Sequence, residues 1–268
     1  MHSDQELEYR HFAELDSTND YLRSFRPLAP VTVVSADFQT KGRGQIGNTW
    51  HSDKGQNLLF SILLMPEGLK ATDAFVLSQA MALSIKKVLD KYLAGVSIKW
   101  PNDIYCHDRK ICGTLIENAL MGKLVGRSVI GSGINVNQQA FPEGLAAPAT
   151  SVSLQVGGQY EPAKLLQSVM DYFMEYYRDI QRGEYDAIRK EYHEYLYLRG
   201  IKTHLQDVNG DYWGTISHVL PDGHLIVTDE AGRERRYAFK EVRFIRKNRN
   251  SACEACKENM YTFNNNKR

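Results

Sequence analysis

Apolar residues fall into two rhythms along the chain, and the points where each stops mark the elements. Residues 9–15 (YRHFAEL) alternate enough for a short strand. Asp16-Ser17-Thr18-Asn19 then opens a helix, with Ser17 or Asp16 as its cap and Tyr21, Leu22 and Phe25 on its apolar side; Pro27 and Pro30 end it. Residues 31–37 (VTVVSAD) and 58–65 (LLFSILLM) are continuous apolar runs of the kind that buried strands carry. Between Thr72 and Tyr92 the spacing becomes helical, through Phe75, Leu77, Met81, Leu83, Ile85, Val88 and Leu89, and predicts a long core-packed helix. Residues 96–100 form a strand stopped by Pro101, which lacks a ladder N–H. Residues 104–106 and 111–117 pattern as a hairpin turning at His107-Asp108-Arg109-Lys110, and 124–137 carry the next strand. The Pro/Gly/Ala-rich stretch 138–160 is expected to be irregular, and helical spacing returns over 161–182 and 184–197.

From Gly200 the texture changes to short alternating segments separated by Asn209-Gly210, Pro221-Asp222-Gly223 and Ala231-Gly232 turns. That spacing predicts a small five-stranded barrel. The last stretch, NRNSACEACKENMYTFNNNKR, lacks periodicity and is expected to be disordered. The expected organisation is a larger domain over 1–199, a small β-domain over 200–247 and a tail over 248–268. Composition adds little: 43% hydrophobic and 24% charged residues with a net charge of +1 suit a soluble globular protein. Bulk electrostatics give no reason to expect nucleic acid. No apolar run is long enough to span a bilayer, and MHSDQELEYR is no signal peptide. Cys106 and Cys112 lie in apolar stretches and read as buried thiols, while Cys253 and Cys256 form one CxxC without a second ligand pair, a poor zinc site. This usage suits a reducing cytoplasm.

The chemistry concentrates at the segment from Gln39 to Trp50 (QTKGRGQIGNTW). Its glycines free the backbone to press against a ligand, Arg43 offers a planar fork of donors for a carboxylate or phosphate, and Trp50 supplies a flat face for a base. It is not a Walker loop, which needs Gly-Lys-Ser/Thr, and although Gly42, Gly44 and Gly47 have the spacing of a dinucleotide fingerprint, a strand rather than a helix follows. Four more polar clusters fall at strand ends or in loops: Asp16-Ser17-Thr18-Asn19, Lys99-Trp100-Pro101-Asn102-Asp103, Arg109-Lys110 and Gly131-Ser132-Gly133-Ile134-Asn135. Taken singly, each has a bland reading. Asp16 or Ser17 need only cap a helix, Asn102-Asp103 after a proline is a turn signal, and Lys110 need only be a solvated hairpin residue. Their joint occurrence between sheet-forming segments is what points to a site.

The order LDSTNDYL, QTKGRGQIGNTW, KWPNDIY, DRKICGTLIE, VIGSGINVN resembles the biotin protein ligases over about residues 9–247. The resemblance implies an α+β fold: a mixed β-sheet flanked by helices, as in class II aminoacyl-tRNA synthetases, followed by a small SH3-like β-barrel. It implies an enzyme that joins biotin to ATP, with Mg²⁺, as biotinyl-5′-AMP, and then moves the biotinyl group to a lysine of a biotin carboxyl carrier protein. By resemblance Lys110 and Arg43 are the cations that let two anions meet, worth roughly 4 kcal/mol for one close pair at an effective dielectric near 20. Asp103 would orient the incoming lysine or accept its proton. Biotin would lie against Ser17, Thr18, Asn19, Gln39, Gly42, Gly44, Gln45, Gly113 and Gly133 as well as Arg43 and Lys110. The adenylate would meet Arg43, Trp50, Asn102, Lys110 and Asn135. No protein-bound metal is expected.

Two departures from the family pattern matter. The family loop commonly carries basic residues where this chain has Gln45 and Asn48, which predicts weaker retention of the adenylate, with Lys41 or His51 as possible substitutes. Few residues precede Asp16, so the winged helix-turn-helix of repressor-type members, and with it DNA binding, is not expected; a homodimer is left open. The glycine loop is expected to be mobile until ligand orders it. The main rival is a lipoate or octanoate ligase of the same architecture, which would not require the Ser17/Thr18/Gln39 polar set. A pseudoenzyme would be expected to lose Lys110 or Arg43, and both are present. The small β-domain would hold the carrier or close over ATP.

Overall fold

A computed structural model of the chain describes residues 7–245 apart from Leu28, Ile46, Gly47 and Ala146. The expected tail, with Cys253 and Cys256, lies outside the described residues. In chain order the elements are β1 (Leu7–Phe12), α1 (Thr18–Ser24), β2 (Val31–Ala36), β3 (Leu58–Leu64), α2 (Phe75–Leu89), β4 (Val96–Lys99), β5 (Asp103–Cys106), β6 (Arg109–Met121), β7 (Leu124–Ile134), α3 (Val152–Val156), α4 (Pro162–Gln181) and α5 (Asp186–Glu194). Then follow β8 (Lys202–Asp207), β9 (Gly210–Val219), β10 (Leu225–Asp229), β11 (Glu234–Tyr237) and β12 (Arg243–Phe244). The first seven strands form one sheet in the order β1-β2-β3-β7-β6-β5-β4. Only the β1–β2 pair is parallel, so the sheet is mixed, with helices on both faces as the sequence patterns imply.

The alternation along the strands sorts side chains between those faces. Leu58, Phe60, Ile62 and Leu64 of β3 point into the main core, where α2 is sandwiched between the sheet and helices α4 and α5. Leu63, with Val34 and Val129, points to the other side and meets Leu22 of α1 in a small separate cluster. Every residue of β3 is therefore buried, which is why its sequence reads as an unbroken apolar run.

Three local expectations needed revision. The 138–160 stretch holds a helical turn, α3, whose N-cap Ser151 accepts from Leu154 N–H at 3.1 Å. The hairpin turn is confined to His107-Asp108, with His107 at φ 53°, so Lys110 lies inside β6 rather than at its tip. The C-terminal segments form a five-stranded antiparallel sheet, β11-β10-β9-β8-β12, rather than a closed barrel. Its end strands β11 and β12 are only 4 and 2 residues long and sit at opposite edges, unpaired with each other among the described residues. That sheet shares the apolar core of the larger one through Leu205, Ile216, Val219, Leu225 and Val227. Trp100 pins the junction: its Nε1 donates to Gly223 O at 2.8 Å, and its ring meets Phe239 edge-on at 5.5 Å. Among the described residues no helix is long and apolar enough to cross a membrane.

Candidate active site

A cavity of about 1000 Å³ opens on the α1 side of the larger sheet. Its floor is a trough where strands bring glycines together: Gly113 of β6 pairs with Gly133 of β7, and Leu115 with Gly131. A Cβ on Gly131 would collide with Asn19 Oδ1, and one on Gly133 with the Trp50 indole. Here glycine serves close approach, not a special backbone angle.

Period-two geometry explains which side chains reach the trough. Residues 113, 115 and 117 of β6 share one face. Lys110 would point away from it, three residues before Gly113, if the strand were regular. The register instead shifts between Ile104 and Tyr105, so that Cys112 pairs with Ile104 but Lys110 with Tyr105. The extra residue of this bulge keeps Lys110 on the trough side while Ile111 and Cys112 are both fully buried. Lys110 Nζ then sits 2.7 Å from Asp103 Oδ1 and 5.7 Å from the centre of the Trp50 ring. Backbone bonds on both sides, Lys110 N to Pro148 O at 2.8 Å and Thr150 N to Lys110 O at 2.9 Å, fix the residue against the strap before α3.

One end of the trough is a polar pocket at the start of α1. Ser17 caps the helix through Asp20 N–H. Gln39 Oε1 accepts from Thr18 N–H at 2.7 Å and from Thr18 Oγ1 at 3.0 Å. Ser61, from the middle of β3, lies 2.7 Å from Thr18 Oγ1 and 2.6 Å from Asn19 Oδ1. Ser17, Thr18, Asn19 and Ser61 are all buried, and such groups keep their bonding geometry because the alternative is an unpaired dipole. Ser61 carried no signal of its own in the sequence; it is the single polar residue in an apolar run and faces α1.

The glycine loop folds over the trough as a small hairpin. Trp50 N–H donates to Gly42 O, and Gly44 N–H to Asn48 O, both at 3.0 Å. Gly42 does not line the cavity: a Cβ there would lie 2.5 Å from Trp50 O, so the residue serves loop closure instead. Every other sequence-predicted site residue lines it: Ser17, Thr18, Asn19, Gln39, Arg43, Gly44, Gln45, Trp50, Asn102, Asp103, Lys110, Gly113, Gly133 and Asn135. The Trp50 ring lies on the glycine floor, and its buried Nε1 finds no partner among the described residues. Asn102 donates to Thr114 O and Asn135 Nδ2 to Thr150 O at 2.9 Å, so both amides also brace the walls. Lys41 is tied to Asp16 at 2.8 Å outside the cavity and holds that carboxyl below its ordinary range, with help from Thr40. His51, by contrast, lines the cavity.

Arg43 is held by acids that the sequence did not single out. Its NH1 is 2.6 Å from Asp20 Oδ1, and its NH2 is 3.0 Å from Glu117 Oε1. Partial burial pulls the guanidinium pKa down, but Glu117 and Asp20 outweigh this and raise it. The other missed contributions come from far along the chain: Arg243 and Phe244 of β12, and Lys240 of the turn before it, reach the cavity wall near Lys99. Short alternating strands did not single out these residues. Burial pushes both the Cys106 and Cys112 thiols up, away from the thiolate form. No group of metal-ligating side chains occurs among the described residues.

Residues 12–135 match the Biotin/lipoate A/B protein ligase family, and the chain is homologous to biotin protein ligases. It is 31% identical over 210 residues to the bifunctional ligase/repressor BirA of Bacillus subtilis, covering 77% of this chain and 64% of that protein. The biotin–[acetyl-CoA-carboxylase] ligase of Paracoccus denitrificans is 27% identical over 230 residues, 83% of this chain and 95% of the relative. Among solved structures, the biotin protein ligase from Aquifex aeolicus in complex with biotin and ATP superposes with a TM-score of 0.76 at 26% identity, covering 90% of this chain and 99% of that one. The chain thus spans 64% of the Bacillus relatives' length.

Proposed function

We propose that this chain is an ATP-dependent biotin–protein ligase. The observation that carries the reading is the placement of Arg43 and Lys110 along one glycine-floored trough whose far end is a buried hydroxyl and amide pocket. In the first step a biotin carboxylate oxygen attacks the α-phosphorus of ATP, the α–β bridging bond breaks, and pyrophosphate leaves. Two anions must approach each other for this, and fixed cations in a site of low water content lower the cost. Lys110 meets both at their junction, and Arg43 closes from the loop. The Ser17, Thr18, Asn19, Gln39 and Ser61 pocket receives the ureido ring, which presents both donors and an acceptor. Trp50 rises from the glycine floor to cover the adenine, and Asn102 and Asn135 edge the base or ribose. Mg²⁺ arrives on the triphosphate as part of the substrate, as it does where phosphates and water supply most of its ligands.

In the second step the amine of a carrier lysine attacks the carbonyl of the mixed anhydride, an amide forms, and AMP departs. Asp103, 2.7 Å from Lys110, is the acceptor at that point, orienting the amine or taking its proton. The carrier is a biotin carboxyl carrier protein. Residues 1–199 form the catalytic unit and 200–247 an SH3-like unit whose Lys240 and Arg243 flank the cavity, an arrangement that favours closure over ATP. Free, buried Cys106 and Cys112 favour the reducing cytoplasm as the setting. The polar pocket disfavours a lipoate or octanoate substrate, whose apolar chain would leave those groups unpaired.

The test is incubation with biotin, Mg·ATP and a biotin-acceptor domain, followed by mass spectrometry for the added biotinyl group, with Lys110→Ala as control. Thermal stabilisation by biotin but not by lipoate separates the rival substrates. Absence of biotinyl-AMP from the wild-type reaction refutes the proposal.

A further inference from the structure

We propose that Glu117, together with Asp20, is a positioning residue that holds Arg43 in a waiting state from which an anionic ligand releases it. The ligase reading above supplies only the identity of the anions. Glu117 presents both oxygens: Oε1 takes Arg43 NH2 at 3.0 Å, while Oε2 lies 3.3 Å from NH1 and accepts from Asn19 Nδ2 at 3.0 Å. Asp20 takes NH1 from the opposite side at 2.6 Å. Two carboxylates share one guanidinium, and Arg23, 3.3 Å from Asp20, brings the formal charge of the cluster to zero, so the acids neutralise Arg43 in place. A carboxylate or phosphate entering the trough finds the Arg43 donors occupied by these two acids and gains the guanidinium only if Arg43 exchanges partners. Arginine suits such an exchange because its planar fork fits any bidentate oxyanion.

The position of Glu117 makes it more than a surface ion pair. It lies on the trough face of β6, opposite Val129, two steps beyond Leu115. Its other partner, Asn19, is 4% exposed, and Oδ1 of that amide is 2.6 Å from Ser61 Oγ. One carboxylate therefore joins the polar pocket to the loop cation. A ligand that draws on Asn19 loosens the same oxygens that hold Arg43, so filling the pocket favours freeing the guanidinium. This route requires no domain movement, only the transfer of two or three charge-assisted hydrogen bonds.

The test is calorimetric titration of the full chain with Mg·ATP and, separately, with biotin. Glu117→Gln keeps the size of the side chain and one acceptor but removes the charge. It is expected to bind Mg·ATP roughly twofold to fivefold more tightly than the wild type, a range set by one partly exposed pair. Asp20→Asn is expected to act in the same direction. Both gains should vanish in an Arg43→Ala background, since the acids act through Arg43. A scaffolding role predicts the opposite sign, weaker binding that persists without Arg43. If Glu117→Gln binds Mg·ATP no more tightly than wild type, or if the gain survives Arg43→Ala, the waiting state is refuted and the ligase reading stands. If the gain depends on Arg43 but biotin and Mg·ATP yield no adenylate, the waiting state stands and the ligase reading falls. Failure of the wild type to bind either ligand overturns both. Unaltered melting temperatures across the series confirm that each variant is folded.

Discussion

The two faces of the larger sheet divide the labour of the molecule. The face under α2 and α4 is mostly apolar: Phe60, Ile62, Leu83 and Phe173 are all essentially inaccessible to water. The face under α1 buries only a small apolar cluster around Leu22 and gives the rest of its area to glycines, hydroxyls and paired charges. The same strands build both, because alternate residues of one strand belong to opposite sides. The difference shows how one sheet keeps stability and chemistry apart. Close packing on one side holds the strands at fixed spacing, so that sparse polar groups on the other can be held in place without a core of their own.

That division can be broken from either side. Phe173→Ala opens a cavity in the apolar face and should cost about 3–5 kcal/mol of unfolding free energy, read from urea denaturation, while KM per folded molecule stays near wild type. Lys110→Ala should do the reverse. Adenylate formation is expected to fall about 10²–10³-fold, as when a single charge-stabilising group is removed from a site. The melting temperature should barely move, because the pair with Asp103 is partly open to solvent, with side chains 29% and 19% exposed. Gln45→Arg sharpens the contrast by adding a cation to the cavity wall. It should slow adenylate release at least about tenfold in an off-rate assay without affecting stability.

The smallest effect concerns the seam between the two sheets. His193 Nε2 lies 2.9 Å from Val219 N–H and 3.1 Å from Val219 O. Burial depresses its pKa, the Val219 bond opposes this, and the charges of Arg199 and His218 add to the fall. A histidine harder to protonate in the folded state supplies stability that is complete above its unfolded value, about 6.5. The contribution is lost as pH falls through the lower folded value. Melting temperature should therefore decline below pH 6.5, and His193→Gln, which still offers an acceptor to Val219 but does not titrate, should flatten that decline.

Much of the apolar face was legible in the sequence because burial there is continuous. The run in β3 and the helical stripe of α2 leave no other reading. The α1 face was legible where a polar cluster interrupts a pattern, as at Ser17-Thr18-Asn19 or in the glycine loop. It was illegible where a functional neighbour looks like ordinary strand. Glu117 closes the motif DRKICGTLIE, yet its link to Arg43 spans 74 positions and rests on sheet register. Ser61 is hidden in the same way. The turn α3 is too short, at 5 residues, to show a period. The edge strands β11 and β12 are too short to close a barrel, although the turns from β8 to β11 were plain.

The irregularity between Lys110 and Gly113 has a consequence for how this strand tolerates change. Two groups that must look the same way are separated by an odd step, and one surplus residue restores parity. By the same period, loss of Ile111 would leave Lys110 two steps before Gly113 in a regular strand, so β6 would straighten with the ammonium still on the ligand side. A deletion further along, at Thr114, would instead turn every residue before it to the opposite face of the sheet.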